Sequence, residues 1–241
     1  MKYILITGAT SGIGLETARL FASLGYHLAI CGGHNIENLE YTRQELSASA
    51  PEVLAYFGDC GNPDFVESMV EDINQHFPRL DAVINNAAIS HVGLLTDMSV
   101  LEWDTLIRTN LSSLFYICRL VVPGMVREQS GRIINISSMW GESGASCEVA
   151  YSASKGGVNS FTKALAKELA PSHIQVNALA FGTIDTRMNH CFTEEEKAAL
   201  ADDIPAGRFG TTKEAALMVQ QLLEAPDYLT GQVIRMDGGY L

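Results

Sequence analysis

Short apolar runs alternate along this chain with longer segments whose apolar residues recur at helical spacing. Tyr3–Thr7, His27–Cys31, Val53–Phe57 and Ala82–Asn85 read as strands, and helices over Ile13–Leu24 (closed by Gly25), Ile36–Ser47 and Phe65–Phe77 separate them. A long helical stretch from about Glu102 to Glu128, interrupted at Pro123-Gly124, leads to a strand Arg132–Ser137. A helix Ala150–Ala170 stopped by Pro171, a strand Ile174–Leu179, a helix Lys213–Leu223 and a strand Gln232–Met236 complete the pattern. Repeated strand–helix units predict an α/β fold: a Rossmann-like, doubly wound parallel sheet with helices on both faces. The stretch from Gly182 to Gly210 is irregular and polar. It is expected to act as a lid, with the Glu194-Glu195-Glu196 run opening a short helix capped by Thr193.

At 241 residues the whole pattern fits one domain, residues 1–241, with halves meeting near residue 135. Apolar residues are 47% and charged residues 18%, a globular composition. No uninterrupted apolar run approaches the ~20 residues that span a bilayer. The opening residues run straight into a Gly-rich turn, so a cytoplasmic protein without membrane association is expected. Cys31, Cys60, Cys118, Cys147 and Cys191 are odd in number and show no C-x-x-C, which suits reduced thiols rather than a disulfide framework. The six histidines lack metal-ligand spacing, and no metal is expected. A net charge of −12 disfavours nucleic acid and anionic surfaces as partners.

Candidate chemistry gathers at the ends of the predicted strands. Thr7-Gly8-Ala9-Thr10-Ser11-Gly12-Ile13-Gly14 lies between the first strand and first helix, where glycines let the backbone turn tightly and approach a pyrophosphate on the helix N-terminus. Asn85-Asn86-Ala87-Ala88 ends the fourth strand; its amides can fix turns or bind ribose. Asp59, after the third strand, can serve as a turn residue or accept from an adenine amine. Tyr151 and Lys155, four apart on a helix, share a face, and an adjacent ammonium is expected to lower the Tyr pKa for proton donation. Ser137-Ser138 ends the strand before them, where a hydroxyl can hydrogen-bond a substrate carbonyl, and Asn110 sits in a helix able to face the same cleft.

Together Thr7–Gly14, Asn85–Ala88, Asn110, Ser138, Tyr151, Lys155 and the closing Met236-Asp237-Gly238-Gly239 resemble the short-chain dehydrogenases/reductases. The resemblance implies Tyr151 as general acid, Ser138 as carbonyl orienter, Lys155 as ribose ligand and Tyr151 activator, and Asn110 as holder of a relay water. It also implies an NAD(P)-dependent enzyme, assembled as a homotetramer through its two long helices. The implied cofactor contacts are Gly8, Ser11, Gly12, Ile13, Gly14, Gly33, His34, Asp59, Cys60, Asn86, Ala87, Tyr151, Lys155, Gly182 and Ile184. Ala88 stands where the family usually has Gly, and Phe181 where it has Pro. The second strand ends Cys31-Gly32-Gly33-His34-Asn35, with neither an Asp for ribose hydroxyls nor an Arg for a 2′-phosphate. The missing carboxylate favours NADP(H), with NAD(H) possible; His34 and Asn35 can bind either group, and an Asp placed at Gly33 should turn the preference toward NADH.

The chain is similar to bacterial 3-oxoacyl-acyl-carrier-protein reductases in Thr109–Ser113, Gly131–Ser138 and Ile204–Arg208. That likeness implies a small ketone or a carrier-linked carbonyl as substrate. An acidic carrier calls for a basic docking patch, yet Lys and Arg total only 16, and Gln129, Ser172 and His173 stand where such charge would help. The run Ser137 to Tyr151 resembles instead a Gram-positive subgroup that reduces an aminopentanone group on a lysine of elongation factor P. Glu142 or Glu148 would then attract a substrate ammonium or remain a solvated loop charge. Ser90, Trp140, Glu148 and Met188 are the expected substrate pocket. A non-catalytic NAD(P)-sensing regulator is the reading from another class; such relatives lose the Tyr or Lys that this chain keeps.

Overall fold

The computed structural model describes residues 2–187 and 193–241. Its strands are β1 (Tyr3–Thr7), β2 (His27–Gly32), β3 (Val53–Phe57), β4 (Ala82–Asn85), β5 (Gly131–Ser138), β6 (Ile174–Phe181) and β7 (Val233–Met236). They form one seven-stranded parallel sheet in the order β3-β2-β1-β4-β5-β6-β7. The helices are α1 (Gly12–Ser23), α2 (Ile36–Ser47), α3 (Pro63–His76), α4 (Val100–Ile107), α5 (Ser113–Glu128), α6 (Trp140–Ser143), α7 (Val149–Leu169), α8 (Glu194–Asp202) and α9 (Thr212–Leu223).

Strand side chains alternate between two separate cores. Ile4, Ile6, Leu28, Ile30 and Ile134 meet Phe21 of α1, Leu39 of α2 and Val219 of α9. Leu5, Ala29, Val83, Ile133 and Val176 meet Ile73 of α3, Val121 of α5 and Leu169 of α7. A sheet buried on both faces needs apolar residues at every position, which is why these strands read as continuous hydrophobic runs.

The strand order reverses between β1 and β4, and there the chain leaves in opposite directions and opens a crevice at the strands' carboxyl ends. Its floor is stitched by Thr7, whose Oγ1 accepts from the Asn86 and Ala87 amides at 3.0 Å each. The Asn86 side chain donates back to the carbonyls of Thr7 (3.0 Å) and Gly8 (3.1 Å). Turn-fixing is therefore what this amide does. A buried chain from Asn85 to Asn135 (2.8 Å) and on to Thr162 (2.9 Å) ties β4 and β5 to α7, so the helix bearing Tyr151 is registered against the sheet.

One stretch departs from the sequence pattern in two ways. The stretch expected to break at Pro123-Gly124 does not: α4 passes through a π-helical turn, Arg108–Ser112, into α5, which continues through Pro123. Pro123 is exposed, so the hydrogen bond it forfeits is lost on the solvent side, where water can replace it. The combined run Val100–Glu128 is also long and apolar enough to cross a membrane by length and composition alone, which the sequence reading did not expect; in the fold it packs on α3 and α7. The described residues of the segment after Gly182 include the short helix expected there. Thr193 opens α8 with a capping box to Glu196, as its sequence suggests, and Ile184 bridges Gly210 in parallel.

Candidate active site

The crevice is a cleft of about 1010 Å³. At one end the glycine loop contributes Gly8, Ser11, Gly12 and Ile13. Gly8 has φ 65°, and a Cβ there would sit 2.9 Å from the Ala87 Cα, so the tight passage of chain against chain admits glycine alone. Gly14, expected beside the cofactor, is buried behind the loop and does not line the cleft. A Cβ on it would fall 2.3 Å from the Gly8 carbonyl oxygen, so its role is close packing of α1. Ser11 precedes α1 without capping it, and the first turn holds no acidic residue. By contrast Asn35, Asn62, Ser99 and Thr211 cap their helices with side-chain oxygens. The first N–H groups of α1 are thus left for an anion, and the loop fits a dinucleotide pyrophosphate.

Beyond the loop lie Gly33, His34, Asn35, Asp59 and Cys60. Asn35 is less available than expected, because its Oδ1 accepts the Asn38 amide at 2.8 Å as the cap of α2. Gly33 is a poor place for a carboxylate: a Cβ there would lie 2.7 Å from the Gly58 carbonyl oxygen, so an Asp cannot enter without moving backbone. Exposed His34 is the free position. Asp59 proves to be a turn residue, its Oδ1 accepting the Gly61 amide at 2.8 Å, and it lines the cleft as well. Asn86, Ala87, Gly182 and Ile184 complete the expected set along the wall.

At the cleft's centre β5 delivers Ser138 and α7 delivers Tyr151 and Lys155, all buried and all facing the cavity. Ser137 is committed elsewhere, donating to the Asn159 Oδ1 at 2.6 Å. Ser138 Oγ accepts the Trp140 amide at 3.2 Å and hydrogen-bonds the Tyr151 phenol. Lys155 donates from Nζ to the Ile136 carbonyl at 2.8 Å and lies 5.6 Å from the Tyr151 ring centroid. Burial pushes the Tyr151 phenol up to about 12, the Glu148 charge adds to this, and the Ser138 hydrogen bond pulls the other way. Burial lowers Lys155 to about 8. Among the influences on the phenol, desolvation dominates, and Lys155 is not one of those that move it here.

Asn110 does not face the cleft. Its Oδ1 accepts the Ile89 amide at 2.8 Å, and its Nδ2 donates to the Ile89 carbonyl (2.8 Å) and Ser154 Oγ (3.2 Å). Both amide hydrogens are spent on fixing the Ala87–Ser90 wall to α7, so this side chain has no donor left for a relay water.

On the substrate side Ser90, Trp140 and Glu148 line the cavity, while Met188 lies outside the described residues. Glu148 is half-buried, and that burial raises its carboxyl above the ordinary range. Glu142 is not in the cleft: it is an exposed partner of Arg235 at 3.2 Å, so its charge is already answered. Trp140 packs edge-on against Tyr240, ring centroids 5.6 Å apart. Phe181 extends β6 two residues further than expected, pairing with Met236 and accepting the Met139 amide at 2.9 Å. Val92, Thr105, Thr186 and Arg187 also line the cleft. No spacing announces them, because loops and folding alone bring them there.

An anion-ready glycine loop at the switch point, with a serine, a tyrosine and a lysine converging beside it, defines a dinucleotide-dependent oxidoreductase of the doubly wound class. The family described as short chain dehydrogenase matches residues 2–197, and the chain belongs to it. It is 40% identical over 244 residues to an uncharacterized oxidoreductase of Bacillus subtilis, YmfI, covering 99% of this chain and 98% of that protein. It is 39% identical over 239 residues to the 3-oxoacyl-[acyl-carrier-protein] reductase FabG of Thermotoga maritima, covering 99% and 97%. A FabG of Chlamydia muridarum is 36% identical over 240 residues, covering 99% and 96%.

Proposed function

We propose that this oxidoreductase reduces a ketone to a secondary alcohol, with NADPH preferred over NADH, and that Tyr151 is its proton donor. The observation that carries the reading is the convergence of Ser138, Tyr151 and Lys155 on one wall of the cleft. Bound reduced nicotinamide supplies a hydride to the carbonyl carbon. The chain does the rest. A carbonyl oxygen set between Ser138, whose oxygen already accepts the Trp140 amide, and Tyr151 would take two O–H donors in place of the hydrogen bond the hydroxyls make with each other. Tyr151 gives up its proton as negative charge develops on that oxygen, and the buried Lys155 ammonium stabilises the phenolate left behind. Gly8, Ser11, Gly12 and Ile13 would hold the pyrophosphate, His34 and Asp59 would flank the adenosine, and Asn86, Ala87, Gly182 and Ile184 would position the rest.

Two substrate classes fit this chemistry. The 3-oxoacyl relatives suggest a β-ketoacyl group, small or carrier-linked. The second reading is an amino ketone, such as an aminopentanone group on a protein lysine, and Glu148 favours it. This half-buried carboxylate stands near Tyr151, and a substrate ammonium would relieve both its desolvation and its effect on the phenol. Initial rates with each cofactor on a β-ketoacyl thioester, a neutral ketone and a matched amino ketone test both readings. Glu148→Gln is expected to cut kcat/KM for the amino ketone about tenfold, roughly the ~1.4 kcal/mol of one partly desolvated charge contact, and to leave the neutral ketone within about twofold. Reduction of none of the three by a cofactor-bound enzyme would refute the proposed activity. Equal effects of Glu148→Gln on both ketones would refute the amino-ketone reading.

A further inference from the structure

Two cysteines far apart in sequence meet in the cleft wall; neither takes part in the proton transfer, and Cys60 is otherwise only an expected cofactor neighbour. Cys31 is near the carboxyl end of β2 and Cys60 is in the turn between β3 and α3. Their sulfurs are 3.4 Å apart. They are 1% and 4% exposed, and what exposure they have opens into the cleft beside His34 and Asp59. Two thiols in van der Waals contact need close by only ~1.4 Å to bond, a distance shared between side-chain rotation and a small approach of the two segments that carry them.

We infer that Cys31 and Cys60 form a dithiol modification site that takes hydroperoxides as its oxidant and, once oxidised, closes the adenosine end of the cleft. The chemistry balances in two steps. Cys60, the more exposed of the two residues, attacks the peroxide oxygen through its sulfur; the O–O bond breaks, an alcohol (or water, from hydrogen peroxide) leaves, and a sulfenic acid remains. The Cys31 sulfur then displaces that hydroxyl as water, forming the S–S bond. Two electrons and two hydrogens pass from the thiols to the oxidant.

The site lies in the cleft for a reason that can be measured. Cys31 precedes Gly32, Gly33 and His34, and Cys60 follows Asp59, so the bond would draw together the two segments that flank the adenosine end. A bound dinucleotide would cover the thiols, and the disulfide would in turn oppose the dinucleotide. By linkage the two effects are reciprocal. Only the effect on binding rests on the cofactor reading; formation of the disulfide does not.

The test treats the intact protein with graded hydrogen peroxide, with and without NADPH, and maps disulfides by mass spectrometry of non-reduced peptides. Part-exposed Cys147 serves as the gauge of general oxidation. The expected result is a Cys31–Cys60 cross-linked peptide, two hydrogens lighter, formed before Cys147 is oxidised and at least fivefold more slowly with NADPH present. NADPH binding, followed by its fluorescence, should weaken at least tenfold on oxidation and return with dithiothreitol. Cys31→Ser and Cys31→Ala proteins should each hold their own starting affinity through the same treatment. Absence of the cross-link after Cys147 is fully oxidised overturns the site, and a cross-linked protein with unchanged NADPH affinity overturns its control of the cleft. Failure of the reduced protein to bind any dinucleotide would instead refute the cofactor reading, while the cross-link still decides the dithiol.

Discussion

Tyr151 and Lys155 are displaced by burial toward opposite protonation habits, and their pKa values give the proposed mechanism its pH dependence. The phenol at about 12 keeps its proton through the physiological range, so the donor form is always present. Lys155 at about 8 does not keep its charge as far. Reduction is expected at full rate below pH ~8 and to decline as pH rises through that value, when the ammonium that stabilises the phenolate is lost. The stability sign runs the other way. A lysine whose folded pKa is depressed opposes folding while it is charged, and that cost fades as pH rises from about 8 toward its ordinary value. A kcat/KM profile for reduction that stays flat to pH ~10 would contradict the role given to Lys155. Tyr151→Phe keeps the ring and removes the acid. It should lower kcat about a thousandfold while dinucleotide affinity changes little. Activity within tenfold of wild type would mean that another group donates the proton.

Cofactor choice belongs to the residue scale too, and here the structure moves the experiment. Gly33 has backbone against it, so His34→Asp is the substitution that places a repelling carboxylate without strain. It should weaken NADPH relative to NADH by about tenfold or more. A wild-type protein that already binds NADH far more tightly than NADPH would refute the proposed preference.

Among the elements, those with strong periodicity were legible in the sequence. The helix Ile36–Ser47 has the bounds that its pattern suggests, and β4 likewise, because capping and two-sided burial fix their ends; edge strand β3 also keeps its expected bounds although it is only partly buried. The π turn Arg108–Ser112 left no mark, since it inserts one backbone irregularity without changing residue type. It lies where the Asn110 side chain turns to meet Ile89 and Ser154, so that side chain clamps the cleft wall to α7. Ser138, Tyr151 and Lys155 were legible because chemistry and spacing coincide. Glu142 and Glu148 were not separable in sequence: only the fold brings Arg235, far along the chain, to neutralise the first and not the second. The same helical run leaves Val100, Leu101 and Phe115 exposed at 78%, 71% and 52%. Apolar side chains so exposed on this run call for a cover, and the family resemblance implies a homotetramer built on this run together with α7. Light scattering at micromolar concentration should give about four times 26.1 kDa. A monomeric mass would contradict the assembly.

The whole molecule bears on substrate through its charge. Net charge is −12, and the cleft-lining side chains include two carboxylates, Asp59 and Glu148, against Lys155 and Arg187. Lys155 is buried at the catalytic centre and its ammonium is held by the Ile136 carbonyl, so it offers nothing to a protein docking at the mouth. Gln129, Ser172 and His173 lie in turns that lead into β5 and β6, at the strands' amino ends and away from this mouth, and Arg127 and Lys167 stand in the helix turns before them, so the case against an acidic carrier rests on the net charge. Like charges across an encounter surface slow association, and salt screens the penalty over a Debye length of ~10 Å at 0.1 M. A β-ketoacyl group on a carrier protein should therefore be reduced no faster than its small thioester analogue, with kcat/KM rising as salt is added. An amino ketone should show the opposite slope, because screening weakens its attraction to Glu148. Fast turnover of the carrier-linked substrate that falls steeply with salt would reveal a basic docking surface instead, and would return the protein to the 3-oxoacyl chemistry of its FabG relatives.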